Sequence, residues 1–214
     1  MKGQVWISRL AVVLSALFLQ QMALAALPDC KITQNDYFGR TVCKNNTLEE
    51  KNSLIKEHYL NAQLMSNAPL QLLNTLQSAW ISYARQCKTT QCIKQQFEQR
   101  SDDLVFLTTV NQSLSQHYIR VKKAALAQPF THIQLQQLDK NRIKIEGIQY
   151  HSPNMAESKQ VTYLRAYTSP DHVHQITDLE SKCIYRIKRH RLSLELESDN
   201  KSCQQFVGIY RIYD

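Results

Sequence analysis

Two hydrophobic periods divide this chain. From Thr47 to about Gln128 apolar residues recur at three- and four-residue intervals, the spacing of one helix face. Beyond Pro129 they recur at every second position, the spacing of one strand face. Thr47-Leu48-Glu49-Glu50 has the form of a capping box, in which Thr47 and Glu50 satisfy each other's end-of-helix N–H groups. Leu48, Ile55, Tyr59 and Ala62 then share one face, and this first helix ends near Asn67. Pro69 sits where a first helical turn tolerates it, and Leu72 or Leu73, Leu76, Ala79 or Trp80, and Tyr83 make the face of a second helix. A third stripe runs from Ile93 through Phe97, Arg100, Leu104, Leu107, Asn111, Leu114, Tyr118 and Val121 to Ala125. It is heptad-like, with polar interruptions at Arg100 and Asn111, and Ser101-Asp102-Asp103 offers a fresh cap inside it.

In the second half, Ile133 and Leu135, a turn at Asp139-Lys140-Asn141, and then Ile143 and Ile145 predict a hairpin. Val161 to Tyr167 predicts another strand. From Cys183 to Leu196 a two-residue turn at Arg189-His190 would set Ile187 opposite Leu192, Tyr185 opposite Leu194 and Cys183 opposite Leu196. One face of that pair is then apolar and the other carries Arg186, Lys188, Arg191, Ser193 and Glu195. Cys203 opens a last strand through Phe206, Gly208 and Tyr210. The fold class expected is α+β. A disulfide-stapled helical hairpin or bundle spans residues 26–128, and a small antiparallel β domain of roughly five or six strands spans 129–214.

The N-terminus changes how the cysteines are read. Lys2 and Arg9, an apolar run from Leu10 to Leu19 and the small residues of Ala23-Leu24-Ala25 have the form of a secretory signal peptide over residues 1–25. The run is too short for a membrane span, so the mature chain is expected in a periplasm or outside the cell. There, the even set Cys30, Cys43, Cys87, Cys92, Cys183 and Cys203 favours disulfides. Cys87-x4-Cys92 fits neither zinc spacing nor a redox C-x-x-C. Cys183 with Cys203 would tie neighbouring strands. Among the first four, Cys43–Cys87 with Cys30–Cys92 is favoured, although all three pairings fit one end of a helical hairpin.

Composition narrows the partners. A net charge of +8, two units of which come from Lys2 and Arg9, is spread along the chain rather than gathered on one face with aromatics. That argues against nucleic acid and supports only a weak attraction to an anionic envelope surface. No cofactor is implied: P-loop, nucleophile-elbow and H-E-x-x-H motifs are absent, and four glycines leave little room for phosphate-cradling loops. The expectation is a protein that is not an enzyme. Asp171, His172 and His174 form the best metal candidate, read more simply as a surface loop after Ser169-Pro170. Asn45-Asn46-Thr47 matches a glycosylation sequon, which the helix cap at Thr47 already explains. Trp80 is read as a core anchor in the helical seam and Arg85 as a structural ion-pair residue.

The order Cys30, Cys43, a helix with Tyr59, then "LQSAWISYARQCKTTQC" and "FEQRSDDL" resembles the N-terminal domain of the LprI-type lysozyme inhibitor family, over roughly residues 29–107. Gln77, Trp80, Arg85, Cys87, Cys92, Arg100 and Leu104 stand at that family's motif positions. Arg85-Gln86 replaces its frequent Arg-Asp pair, and Gln, Asn and Lys replace its alanine- and arginine-rich face. The resemblance implies a helical, disulfide-stapled envelope domain. It implies as partner a lysozyme or other wall hydrolase, to be inhibited. The other class of function is a housekeeping envelope module binding a lipid, glycan or protein. For the inhibitor, Arg189, His190 and Arg191 at the hairpin tip are the candidate partner contact, because a cationic loop suits a cleft floored by two carboxylates.

Overall fold

The computed structural model describes residues 27–109 and 111–213, so the expected signal peptide at 1–25 lies outside the described residues. Helices come first: α1 (Tyr37–Cys43), α2 (Asn46–Met65), α3 (Leu70–Ala84) and α4 (Thr90–Thr109). Strands follow: β1 (Ser115–Lys122), β2 (Ala125–Leu126), β3 (Thr131–Asp139), β4 (Arg142–Tyr150) and, after a single-turn helix α5 (Glu157–Gln160), β5 (Val161–Thr168). The chain then forms β6 (Gln175–Thr177), β7 (Ile184–Arg189), β8 (Ser193–Glu197) and β9 (Gly208–Ile212).

The helical core forms where the apolar faces meet. Phe38 and Val42 of α1, Ile55 of α2, Trp80 and Ile81 of α3, and Phe97 and Leu104 of α4 belong to one buried cluster. The cap of α2 is Asn45, whose side chain accepts the Leu48 N–H at 3.1 Å, and Thr47 lies inside the first turn. That corrects the capping box, and it gives the asparagine of the sequon a structural task of its own. On the far side of α3, Leu72 packs with Ile119 and Phe130, which joins the helices to the sheet.

The helix of the third apolar stripe, α4, ends at Thr109, well short of Gln128. The heptad spacing continues through Tyr118 and Val121 because β1 is buried on both faces. Tyr118 points into the strand core, while His117 and Ile119 face the helices, so no polar alternation marks the strand. Buried strands read as near-continuous runs for this reason.

Every strand pairing is antiparallel, in the order β5-β4-β3-β1-β9-β8-β7-β6, with β2 beside β1. The sheet curls until its two ends nearly meet. The Arg165 N–H of β5 donates to Asp178 Oδ1 at 2.8 Å, and the Leu179 N–H donates to the Arg165 carbonyl at 2.8 Å. A barrel-like shape results, filled by Tyr118, Ile133, Leu164, Tyr185, Phe206 and Tyr210. Gly147 makes the filling possible: a Cβ there would stand 3.0 Å from the Phe206 ring and 3.1 Å from Leu164 Cβ.

The expected β3–β4 hairpin forms, with Leu135 opposite Ile145 and Gln137 opposite Ile143. The β7–β8 register is displaced by four residues, with Ile187 opposite Leu196 and Arg189 opposite Leu194. An even displacement keeps every side chain on its face, so Tyr185, Ile187, Leu194 and Leu196 are still the buried set. Leu192 is left outside in the connecting loop, 67% exposed. Cys203 closes a short helical turn, Lys201–Cys203, and the last strand begins only at Gly208.

Cys183 bonds Cys203, as the strand reading expects. The other two bonds are local, Cys30–Cys43 and Cys87–Cys92, and replace the cross-helix pairs favoured from the sequence. The reason lies in the turns. The segment before α1 folds back until the Cα atoms of Cys30 and Cys43 are 5.2 Å apart, and the α3–α4 turn brings those of Cys87 and Cys92 to 5.6 Å. Both separations lie in bonding range.

Candidate functional site: a cleft between helices and sheet

Alternation along β1, β3 and β4 sends one set of side chains into the barrel and the other toward the helices. His117, His132, Gln134, Ile148 and Tyr150 belong to the second set. Over them, α3 presents Leu76, Ala79, Trp80 and Tyr83, and α4 presents Arg100, Asp103 and Phe106. The two layers enclose a cleft of about 310 Å³. Phe106 (53% exposed) and Leu126 (40%) stand at its open side.

One end is polar. Arg100 is 4% exposed and donates through Nε and Nη2 to a single oxygen, Gln77 Oε1, at 2.9 and 2.8 Å. Its guanidinium also lies 5.8 Å from the Trp80 ring centre, and the indole N–H is anchored on the Gln96 carbonyl at 3.2 Å. Burial lowers the Arg100 pKa, opposed by the Asp103 carboxylate and by Tyr150 and Tyr59. Asp103 lies one turn further along α4, exposed to solvent while lining the cleft. Crowding raises its pKa, Arg100 draws it down, and Asp102 adds to the rise. The Tyr150 phenol is pushed well above its ordinary value, by burial first and by Asp103 second. Its ring meets Tyr83 edge-on at 5.3 Å, and Tyr83 donates to the Gln160 carbonyl at 3.1 Å.

The other end holds two stacked imidazoles. His117 and His132 lie 5.3 Å apart at 13°, with His117 Nδ1 and His132 Nε2 at 3.1 Å. His117 Nε2 faces Gln112 Oε1 at 3.1 Å. An amide oxygen only accepts, so this pattern assigns the proton to His117 Nε2 and leaves its Nδ1 to accept from His132 Nε2–H. Burial lowers His117 to about 4, and burial with the His117 charge lowers His132 to about 3. Both rings are therefore neutral near pH 7, as one polar wall of the cleft.

The structure gathers some of the sequence-derived residues and scatters others. Gln77, Trp80 and Arg100 converge at the polar end of the cleft. Leu104 is fully buried in the helical core, beneath the same helix. Arg85 pairs with Asp36, the N-cap of α1, at 3.6 Å. Arg189, His190 and Arg191 lie together at the exposed β7–β8 tip, where Arg189 Nη2 donates to Gln116 Oε1 at 2.8 Å. His172 bonds the Ser169 hydroxyl within a surface turn, as the loop reading expects. Among the described residues no group of three or more His, Cys, Asp or Glu is placed to hold a metal ion. Asp103 enters the sequence reading only as part of a fresh cap, which the unbroken α4 corrects, and His117, His132 and Tyr150 have no site role there. Only the fold joins α4, β1, β3 and β4.

Comparison with protein-family models, curated proteins and solved structures gives no match to this chain.

Proposed function

We propose that this chain is an exported, non-catalytic binding protein that holds a small amphipathic molecule between its helices and its sheet. One observation carries the reading: a cleft with largely apolar walls ends on a guanidinium that is almost completely buried. Ligand sites combine apolar walls with a few convergent polar groups in this way. Export is supported by the three disulfides, and no helix of the described residues is long and apolar enough to cross a membrane. A cleft of this size lies at the small end of ligand sites, which suits one single-chain molecule better than a two-chain lipid.

The test uses a neutral apolar dye, N-phenyl-1-naphthylamine, titrated into the protein. Saturable one-to-one binding is expected, and Ala79→Phe, which fills the cleft from α3, should abolish it. Binding that ignores Ala79→Phe would place the dye elsewhere and sink the reading.

A second reading, inhibition of a wall hydrolase, draws on the resemblance to LprI-type inhibitors and on the basic tip at Arg189, His190 and Arg191. All three residues are exposed. Lysozyme assays with the wild type and with Arg189→Ser/Arg191→Ser test it. Inhibition lost in the double variant would support the tip, and no inhibition at micromolar protein would remove the reading.

A further inference from the structure

We propose that the cleft is built for a zwitterionic single-chain amphiphile, with its anionic group on Arg100, its ammonium on Asp103 and its chain along Leu76, Ala79 and Phe106. This deepens the binding-protein reading and rests on it.

Arg100 is 4% exposed, yet its hydrogen-bond acceptor is the neutral Gln77 Oε1, and its Nη1 finds no acceptor among the described residues. No ion pair within 4 Å joins it to Asp103. The Asp103 carboxylate is open to solvent on the cleft's edge, and Tyr150 lines the same cleft. Two opposite charges thus line one cleft, near enough to shift each other's protonation, without touching. A guanidinium taken out of water is costly unless a partner meets it, whereas Asp103 keeps its contact with solvent.

The sign pattern selects the head group. A plain anion satisfies Arg100 but is set against Asp103, and a plain cation meets the reverse. A cation leaves the buried Arg100 facing a like charge, and an anion on Arg100 lies beside the Asp103 carboxylate, so each single charge is disfavoured at one of the two groups. A head carrying both signs satisfies both groups. Its orientation follows from the other side of Asp103, which opens on a surface groove with Asp102, Glu157 and Glu180. That acidic groove draws an ammonium toward Asp103 and leaves the anionic group for Arg100. The half-exposed rings and methyls of Phe106 and Leu126 form the rim over which the chain lies.

The experiment is calorimetric titration of the full chain with three probes sharing one alkyl chain: decanoic acid, decylamine and 2-aminodecanoic acid, each kept below self-association. The zwitterion should bind at least ten-fold more tightly than either single-charge probe. Asp103→Asn, a solvent-reachable position whose change leaves the core intact, should erase the advantage over decanoic acid. Arg100→Lys, which retains the charge, should keep the order of the three. Equal binding of all three, or a preference for decanoic acid or decylamine, would overturn the assignment while leaving the cleft as a binding site. Failure of all three with the neutral dye still bound would overturn it as well. Loss of dye and probes together would instead remove the underlying reading of the cleft.

Discussion

Gln77 Oε1 accepts two hydrogen bonds from Arg100, at 2.9 and 2.8 Å, while the Gln77 amide nitrogen finds no acceptor of its own. The geometry ranks the two partners. Removing the oxygen leaves a buried cation with no direct acceptor, whereas the amide nitrogen contributes no bond. Gln77→Leu should therefore destabilise the fold by about 2–3 kcal/mol, the penalty of an unsatisfied charged donor. Gln77→Glu keeps the acceptor and should cost less. Urea midpoints of the two variants check this, and equal losses would show that packing, not the hydrogen bonds, sets the role of Gln77.

Stability should fall on mild acidification because of the stacked histidines. Their folded pKa values, about 4 and about 3, lie below the ordinary value of 6.5, so the unfolded chain takes up protons first. The contribution is complete above about pH 6.5 and is lost as pH falls toward 4 and then 3. By pH 5 the loss is on the order of 2 kcal/mol per ring. Asp103, with its raised pKa, works the opposite way over the lower part of that window. Unfolding curves at pH 7.5 and 5 read the effect, and His132→Gln should flatten it. An unchanged slope in that variant would place the titration elsewhere.

The three disulfides close loops of unequal length, with separations of 20, 13 and 5 residues. In the chain-entropy account, longer loops gain more from closure. Cys183→Ser/Cys203→Ser should cost most, about 3 kcal/mol, and Cys87→Ser/Cys92→Ser least, about 2 kcal/mol. The ranking is read from thermal midpoints under one buffer. A larger loss at Cys87–Cys92 would mean that this turn holds α3 against α4 in a way the entropy of closure does not describe.

Much of this architecture is legible in the residue pattern, and the failures have physical causes. Helix faces and the β3–β4 hairpin follow from periodicity because each has one side more deeply buried than the other. Buried on both sides, β1 loses that contrast, and its apolar residues continue the heptad spacing by accident. Parity fixed which residues of β7 and β8 point inward, but a slide of four positions preserves parity and so leaves no trace in the pattern. Cysteine spacing limits pairings without choosing among them. Within the cleft, periodicity marks Arg100 as a charge on an apolar stripe, and the resemblance adds Gln77 and Trp80. His117, His132 and Tyr150 lie on strands whose common outward face exists only once the sheet is ordered.

The barrel closes through one side chain, Asp178, and one backbone hydrogen bond, from the Leu179 N–H to the Arg165 carbonyl. Asp178 is 1% exposed and accepts the N–H groups of Arg165 at 2.8 Å and Ser181 at 2.7 Å. Burial alone would raise its pKa, but these bonds and the one from the Ser181 hydroxyl prevail, and the net shift is downward. A lowered carboxylate contributes stability above its unfolded pKa and loses it as pH falls through the folded one, here below about 4. That window lies beneath most of the histidine transition, so the two effects separate on a pH scan. Asp178→Ala removes the acceptor for the β5 edge and should cost about 2–4 kcal/mol, as unpaired buried N–H groups do. Asp178→Asn keeps one acceptor and should lose less. The sharper readout is amide hydrogen exchange at Arg165 and Leu179, the two N–H groups of the seam. In Asp178→Ala both should exchange faster relative to the β3–β4 amides. Uniform acceleration across all strands would mean that Asp178 supports the whole barrel rather than its closure.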